Sequence, residues 1–280
     1  MIKIIADTST LTASADAVKK GFQVAPLTVT VNGATYKELD EISSMDFINI
    51  VREGHIPTSS QPAIGDILAL FDAADKNDDI INIAMAHGLS GTYQSACSAA
   101  EMSKNKENIT VINSKTLCGP HKYMVQKAQK MVEDGCTKDE IIAAVNKCIE
   151  NGLSFLIPED FDFLRRGGRL APLASYIGGA LKLVPVMTLN EDCTRLIKAG
   201  LVRNFQKALN DIIIPELRKD GTDENYLITI SHADNMKRAE IAKAELMKHF
   251  PNTEIEIVLL TPAFITQGGP GCIAIQSVLK

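Results

Sequence analysis

Hydroxyl, amide and imidazole groups concentrate in one stretch, His87-Gly88-Leu89-Ser90-Gly91-Thr92-Tyr93-Gln94-Ser95, directly after the apolar run Ile80 to Met85. An apolar run that stops at glycine and resumes with helical spacing reads as strand, turn and helix. The first N–H groups of such a helix lack intrahelical partners and draw anions, and Gly88 and Gly91 would let a ligand approach the backbone. Ser90 and Thr92 add hydroxyl donors beside them. Two chemistries fit these residues: recognition of an anion, or nucleophilic attack by Ser90 on a lipid or acyl ester. The second needs G-x-S-x-G, and Thr92 stands at the last glycine position. His87 is too near Ser90 in sequence to assume the geometry of a catalytic base. The same hydroxyls can also serve simply as helix caps.

Other stretches offer related chemistry. Pro57-Thr58-Ser59-Ser60-Gln61-Pro62 brackets four hydrogen-bonding side chains between prolines, as a binding loop or as a stiffened linker into a helix. Asp7-Thr8-Ser9-Thr10 follows the first apolar run, and local hydrogen bonding by Asp7 and Ser9 within a turn accounts for it. Arg165, Arg166 and Arg169 surround Gly167 and Gly168. This local basic patch suits a phosphate or an acidic partner, or else a solvated helix end with a glycine cap. Gly268-Gly269-Pro270-Gly271 reads as a glycine turn leading into a last strand.

The elements that must position these residues alternate. Strands are expected at Ile2 to Ala6, Phe22 to Val31, Ile80 to Met85 and Ile109 to Ile112, with a hairpin turn at Asn32-Gly33. Helices are expected from Ser43 or Ser44 to Arg52, over 64–71, from Thr92 onward, and over 120–133 and 138–150. Such alternation implies a parallel sheet, with the turns after Ala6 and Ala86 at its carboxyl edge, where ligands of α/β sheets gather. Beyond Pro158 come strands at 181–189 and 194–198 around an Asn190 to Cys193 turn, and at 226–231 and 254–260. Helices fall over 205–219, kinked at Pro215, and over 236–250. The fold class is therefore α/β in two domains. Residues 1–155 form a parallel sheet flanked by helices, and residues 156–280 form a mixed-sheet domain, with segments free to exchange between them.

A chain of 280 residues, 45% hydrophobic and 22% charged, has the core for this plan. A net charge of −5 argues against a nucleic-acid surface. The six cysteines are scattered, with no pairing or spacing that suggests a metal site, and read as reduced. No signal peptide and no run of about 18 apolar residues is present, which implies a cytoplasmic protein without stable membrane insertion.

Five motifs in order, Asp7-Thr8-Ser9, Pro57 to Pro62, Gly88 to Tyr93, Arg166-Gly167-Gly168-Arg169 and Gly269-Pro270-Gly271, resemble the DegV family over nearly the whole chain. These are bacterial lipid-binding proteins that include the fatty-acid-binding subunits of fatty acid kinase. The resemblance implies a carrier of one fatty acid, with no cofactor and no catalytic residues of its own. The acyl tail would be buried, and a separate ATP-using kinase subunit would phosphorylate the carboxylate. By position, Thr58, Ser59 and Ser90 would contact the carboxylate, with Gly91 and Thr92 in the same turn. Gln267 stands where the family usually has a head-group histidine, and it donates an N–H without titrating near neutral pH. Apart from the resemblance, Arg165, Arg166 and Arg169, as the one basic cluster in an acidic chain, are expected to dock that kinase subunit.

Overall fold

The computed structural model of the protein describes residues 1–171 and 183–280. Leu181 and Lys182, the expected start of one strand, lie outside the described residues. The first half runs β1 (Ile2–Asp7), α1 (Ser14–Lys19), β2 (Gln23–Ala25), β3 (Thr28–Val31), β4 (Ala34–Lys37), α2 (Ser44–Arg52), β5 (Thr58–Ser60), α3 (Ile64–Ala73), β6 (Asp79–Ala84), α4 (Thr92–Met102), β7 (Ile109–Asn113), α5 (Cys118–Glu133) and α6 (Lys138–Glu150). The second half runs β8 (Ser154–Ile157), α7 (Phe161–Gly167), β9 (Val184–Leu189), β10 (Leu196–Val202), α8 (Phe205–Ala208), α9 (Ile214–Lys219), β11 (Tyr226–His232), α10 (Met236–His249), β12 (Glu254–Leu259), α11 (Pro262–Gly268) and β13 (Ile273–Leu279).

The expected α/β architecture is present. Strands β2-β1-β6-β7 form a parallel sheet whose central isoleucines, Ile4, Ile5, Ile80, Ile81 and Ile83, are buried on both faces. Ile5 and Ile80 pack with α3 and α4 on one face, while Ile4, Ile81 and Ile83 pack with α5 and α6 on the other. The strand order reverses between β1 and β6, so their carboxyl ends form a topological switch point. Asp7 joins them there: its Oδ1 accepts from the Ser9 N–H at 2.9 Å and its Oδ2 from the Met85 N–H at 3.0 Å. Ser9 Oγ lies 2.5 Å from His121 Nδ1, and His121 Nε2 lies 2.8 Å from the Ile83 carbonyl. That carbonyl can only accept, so Nε2 carries a proton. The first motif thus ties the switch point together from within the core.

A second, mixed sheet has the order β10-β9-β8-β13-β11-β12. Helices α8, α9 and α10 cover one face, packing Leu217, Ala242 and Leu246 on Phe155, Ile228 and Ile275. The small antiparallel sheet β4-β3-β5 packs with α2 and α11 in a core of its own, which includes Phe47, Cys118, Ile265 and Cys272.

Three elements differ from the sequence expectation. Pro26, which has no N–H for a ladder, divides the span from Phe22 to Val31 into β2 and β3, which enter different sheets. Over 205–219, a π-helical turn at Leu209–Ile213 precedes Pro215. The wider turn accommodates the proline without the N–H that an α-helix would require there. The glycine-rich tail begins as a helix, α11, with Pro262 at its first position.

Candidate functional site

A cavity with about 800 Å³ of atom-free space, open solvent included, lies among the Gly88–Thr92 turn, β5, α11 and the face of the mixed sheet opposite α8, α9 and α10. Leu27, Met85, Leu117, Leu156, Leu189 and Phe264 supply much of its wall. Ser59, Ser90, Arg169 and Gln267 line it as well.

Each polar group has a local reason for its position. Ser59 stands opposite Val29, so the two share a face of the small sheet, and Val29 is fully buried. The neighbouring Thr58 lies on the exposed side and does not line the cavity. Gln267, near the end of α11, donates from Nε2 to Ser59 Oγ at 3.3 Å. The turn after β6 is fixed by the Leu89 and Ser90 N–H groups donating to the Ala86 carbonyl at 3.2 and 3.3 Å. Ser90 Oγ then accepts the Thr92 N–H at 3.3 Å and lies 2.8 Å from Thr92 Oγ1. Thr92 is itself buried and sits behind Ser90 instead of in the cavity wall.

The glycines of this turn admit protein. A Cβ on Gly91 would overlap the Gln61 side chain, which reaches across to donate to Ser95 Oγ. One on Gly88 would overlap Thr194 of the β9–β10 hairpin. Gln61, which also lines the cavity, is therefore a site residue that its place in the proline-bracketed loop did not single out. Ser90 has Thr92 as its partner, whereas the His87 ring packs edge-on against Tyr93 with centroids 5.6 Å apart. A serine nucleophile would need the base within hydrogen-bond reach.

The basic motif divides. Arg165 pairs with Asp162 at 3.0 Å, and Arg166 lies 4.8 Å from the centre of the Phe163 ring; both are exposed. Gly168, with φ of 71°, ends α7 in the left-handed region, as the cap expectation required. Past it the chain turns Arg169 inward. Its Nε donates to the Leu89 carbonyl at 3.0 Å and its Nη1 to the Gly167 carbonyl at 2.5 Å. Burial, and secondarily the charge of Arg195, pulls the Arg169 pKa below the usual arginine value. A desolvated cation of this kind gains from an anion beside it. The site thus combines an apolar chamber with a rim of the Ser59 and Ser90 hydroxyls, the Gln61 and Gln267 amides and the Arg169 guanidinium.

Fold and cavity together define a class: an α/β protein of one parallel, one mixed and one small antiparallel sheet, with a largely apolar cavity beside a hydrogen-bonding rim. The chain belongs to the DegV family, since the family model described as uncharacterised protein, DegV family, matches residues 1–280. The DegV domain-containing protein lmo2514 of Listeria monocytogenes is 29% identical over 286 residues, covering 99% of each chain. Among solved structures, a DegV family protein from Thermus thermophilus, described by its fatty acid binding, superposes with a TM-score of 0.89. It has 25% identity, covering 100% of this chain and 99% of that one. DegV of Bacillus subtilis, described as a fatty acid binding protein, gives 0.86 at 25% identity with the same coverage.

Proposed function

We propose that this protein binds a long-chain fatty acid, with its tail in the cavity and its carboxylate at the rim, and presents it to a separate ATP-using kinase subunit. The observation that carries this reading is the pairing of an apolar chamber with a rim of Ser59, Ser90, Gln267 and Arg169. Each buried CH₂ contributes about 0.8 kcal/mol, so the tail dominates affinity and the rim sets orientation. The two solved relatives described as binding fatty acid share the fold over the full chain, which supports the assignment. On this reading the protein carries its ligand without transforming it. The ligand lies where a unit of residues 1–155 meets one of residues 156–280.

Native mass spectrometry after incubation with stearic and oleic acids tests the binding, and repeated absence of any bound acid would refute it. Arg165 and Arg166 form the exposed part of the basic motif and are proposed to dock the kinase, while Arg169 serves the head group. Reversing the first two charges should weaken phosphorylation of the bound acid and leave its binding intact. Unchanged phosphorylation would remove them from the interface.

A further inference from the structure

The cavity has a second polar place away from its rim. Register in the mixed sheet sets Ser154 opposite Gln276 and Gln276 opposite Thr229, so the three side chains share one face. Ser154 and Gln276 both line the cavity. Gln276 Nε2 donates to the Leu117 carbonyl at 3.1 Å and to Ser154 Oγ at 2.9 Å. Because the carbonyl of Leu117 can only accept, it fixes which end of the amide carries nitrogen.

Gln276 is only 2% exposed, and its Oε1 is left buried with no hydrogen-bond partner among the described residues. Thr229 does not supply one: its Oγ1 is also unpartnered and lies where a Cβ on Gly119 would be. A buried amide oxygen without a donor is costly, and a wall meant only for hydrocarbon would be cheaper with an apolar side chain here. Ser154 Oγ accepts from the amide, which leaves its own O–H to donate. Ser154 and Leu189 also line a neighbouring cavity, whose walls include Ser114, Lys115, Asn190 and Glu191.

We propose that Ser154 and Gln276 form a subsite for a hydroxyl carried on the acyl chain, so that the preferred ligand is a hydroxy fatty acid. The inference rests on the fatty-acid reading above. A chain hydroxyl donates to Gln276 Oε1 and accepts from Ser154, whereas a methylene at that place leaves both unmatched.

The test is competition between equimolar stearic acid and a panel of hydroxystearic acids carrying the hydroxyl at successive carbons, read by native mass spectrometry. At least one positional isomer should displace stearic acid by about fivefold, the worth of one net hydrogen bond. Gln276→Met and Ser154→Ala should each bring that isomer to parity while still retaining stearic acid. Retention of stearic acid shows that a variant is folded; should one variant fail this check, the other decides. Stearic acid matching or beating every isomer on the unsubstituted protein would overturn the proposal, as it would if a buried water already satisfied Gln276. So would a preference that survives in either folded variant. If neither stearic acid nor any isomer is retained, the fatty-acid reading falls together with this one.

Discussion

Glu38 follows β4 and is completely buried. Its Oε1 accepts from Thr8 Oγ1 at 2.5 Å, and its Oε2 accepts from the Ala263 N–H at 2.8 Å. The Ala263 N–H belongs to the first turn of α11, where the helix itself offers no acceptor. Burial pushes the Glu38 carboxyl up to about 7 against the pull of these donors, and nearby Asp7 pushes the same way. In the unfolded chain the group titrates near its ordinary value of 4.5. Below 4.5 both states hold the proton and the Glu38 contribution is fully present. As pH rises from 4.5 toward 7 the unfolded state releases its proton while the folded state keeps it, so stability falls. Above 7 both states have released the proton and the loss is complete. At about 1.4 kcal/mol per pH unit, that window corresponds to about 3 kcal/mol.

Glu38→Gln removes the titration and keeps an acceptor for Ala263. Urea unfolding of both proteins at intervals from pH 4.5 to 8 measures the effect, since other titrating groups cancel in the difference. The stability of the variant relative to the parent should rise by about 3 kcal/mol across the window and then level off. A difference that stays constant from pH 4.5 to 8 would refute the assignment of a proton to buried Glu38.

Gly119→Ala would drive a Cβ into Thr229 where α5 meets β11; the expected loss is about 1–3 kcal/mol in urea unfolding. Ser90→Ala should lower fatty-acid affinity about fivefold, as read by displacement of a fluorescent acid, with the unfolding midpoint nearly unchanged. An unchanged affinity would remove Ser90 from the head-group contacts. Gln267→His should make affinity, taken as a ratio to the parent so that Glu38 cancels, rise on acidification through about pH 6.5 as the ring gains charge beside the carboxylate. A flat ratio would place position 267 away from the head group.

The parallel sheet was legible because Ile4, Ile5, Ile80, Ile81 and Ile83 are buried on both faces and so form unbroken apolar runs. The turn from Gly88 to Thr92 was legible because glycine stops such a run where a helix begins. Helix α11 was not, since Gly268-Gly269-Pro270-Gly271 dominated the reading of the tail. Thr261-Pro262, a helix start with proline at the first position, was the available signal. Arg169 sat in an exposed motif by sequence and in the cavity wall by structure, because one left-handed glycine reverses the chain between it and Arg166. Glu38, in the charged run Lys37-Glu38-Leu39-Asp40-Glu41, had no local mark of burial of its own.

These misses share a physical origin in α11. Seven residues are too few to hold a helix by propensity alone, so its position depends on what it packs against. Those partners are distant in sequence: Glu38 holds its first turn, Ser59 meets Gln267 near its end, and Ile265 packs in the core that contains Phe47 and Cys118. The same short helix carries Ala263, Phe264 and Gln267 into the cavity wall. Neither large sheet encloses the cavity without it, and local sequence cannot encode a helix whose stabilising contacts lie some 200 residues away in the chain. The proton on Glu38 therefore bears on more than stability. When Glu38 ionises, the first turn of α11 gains a full negative charge at its positive end, which strengthens its hold on the Ala263 N–H even as the buried charge costs the fold stability. The pH range in which Glu38 contributes least to stability is thus the range in which it holds this wall of the cavity most tightly.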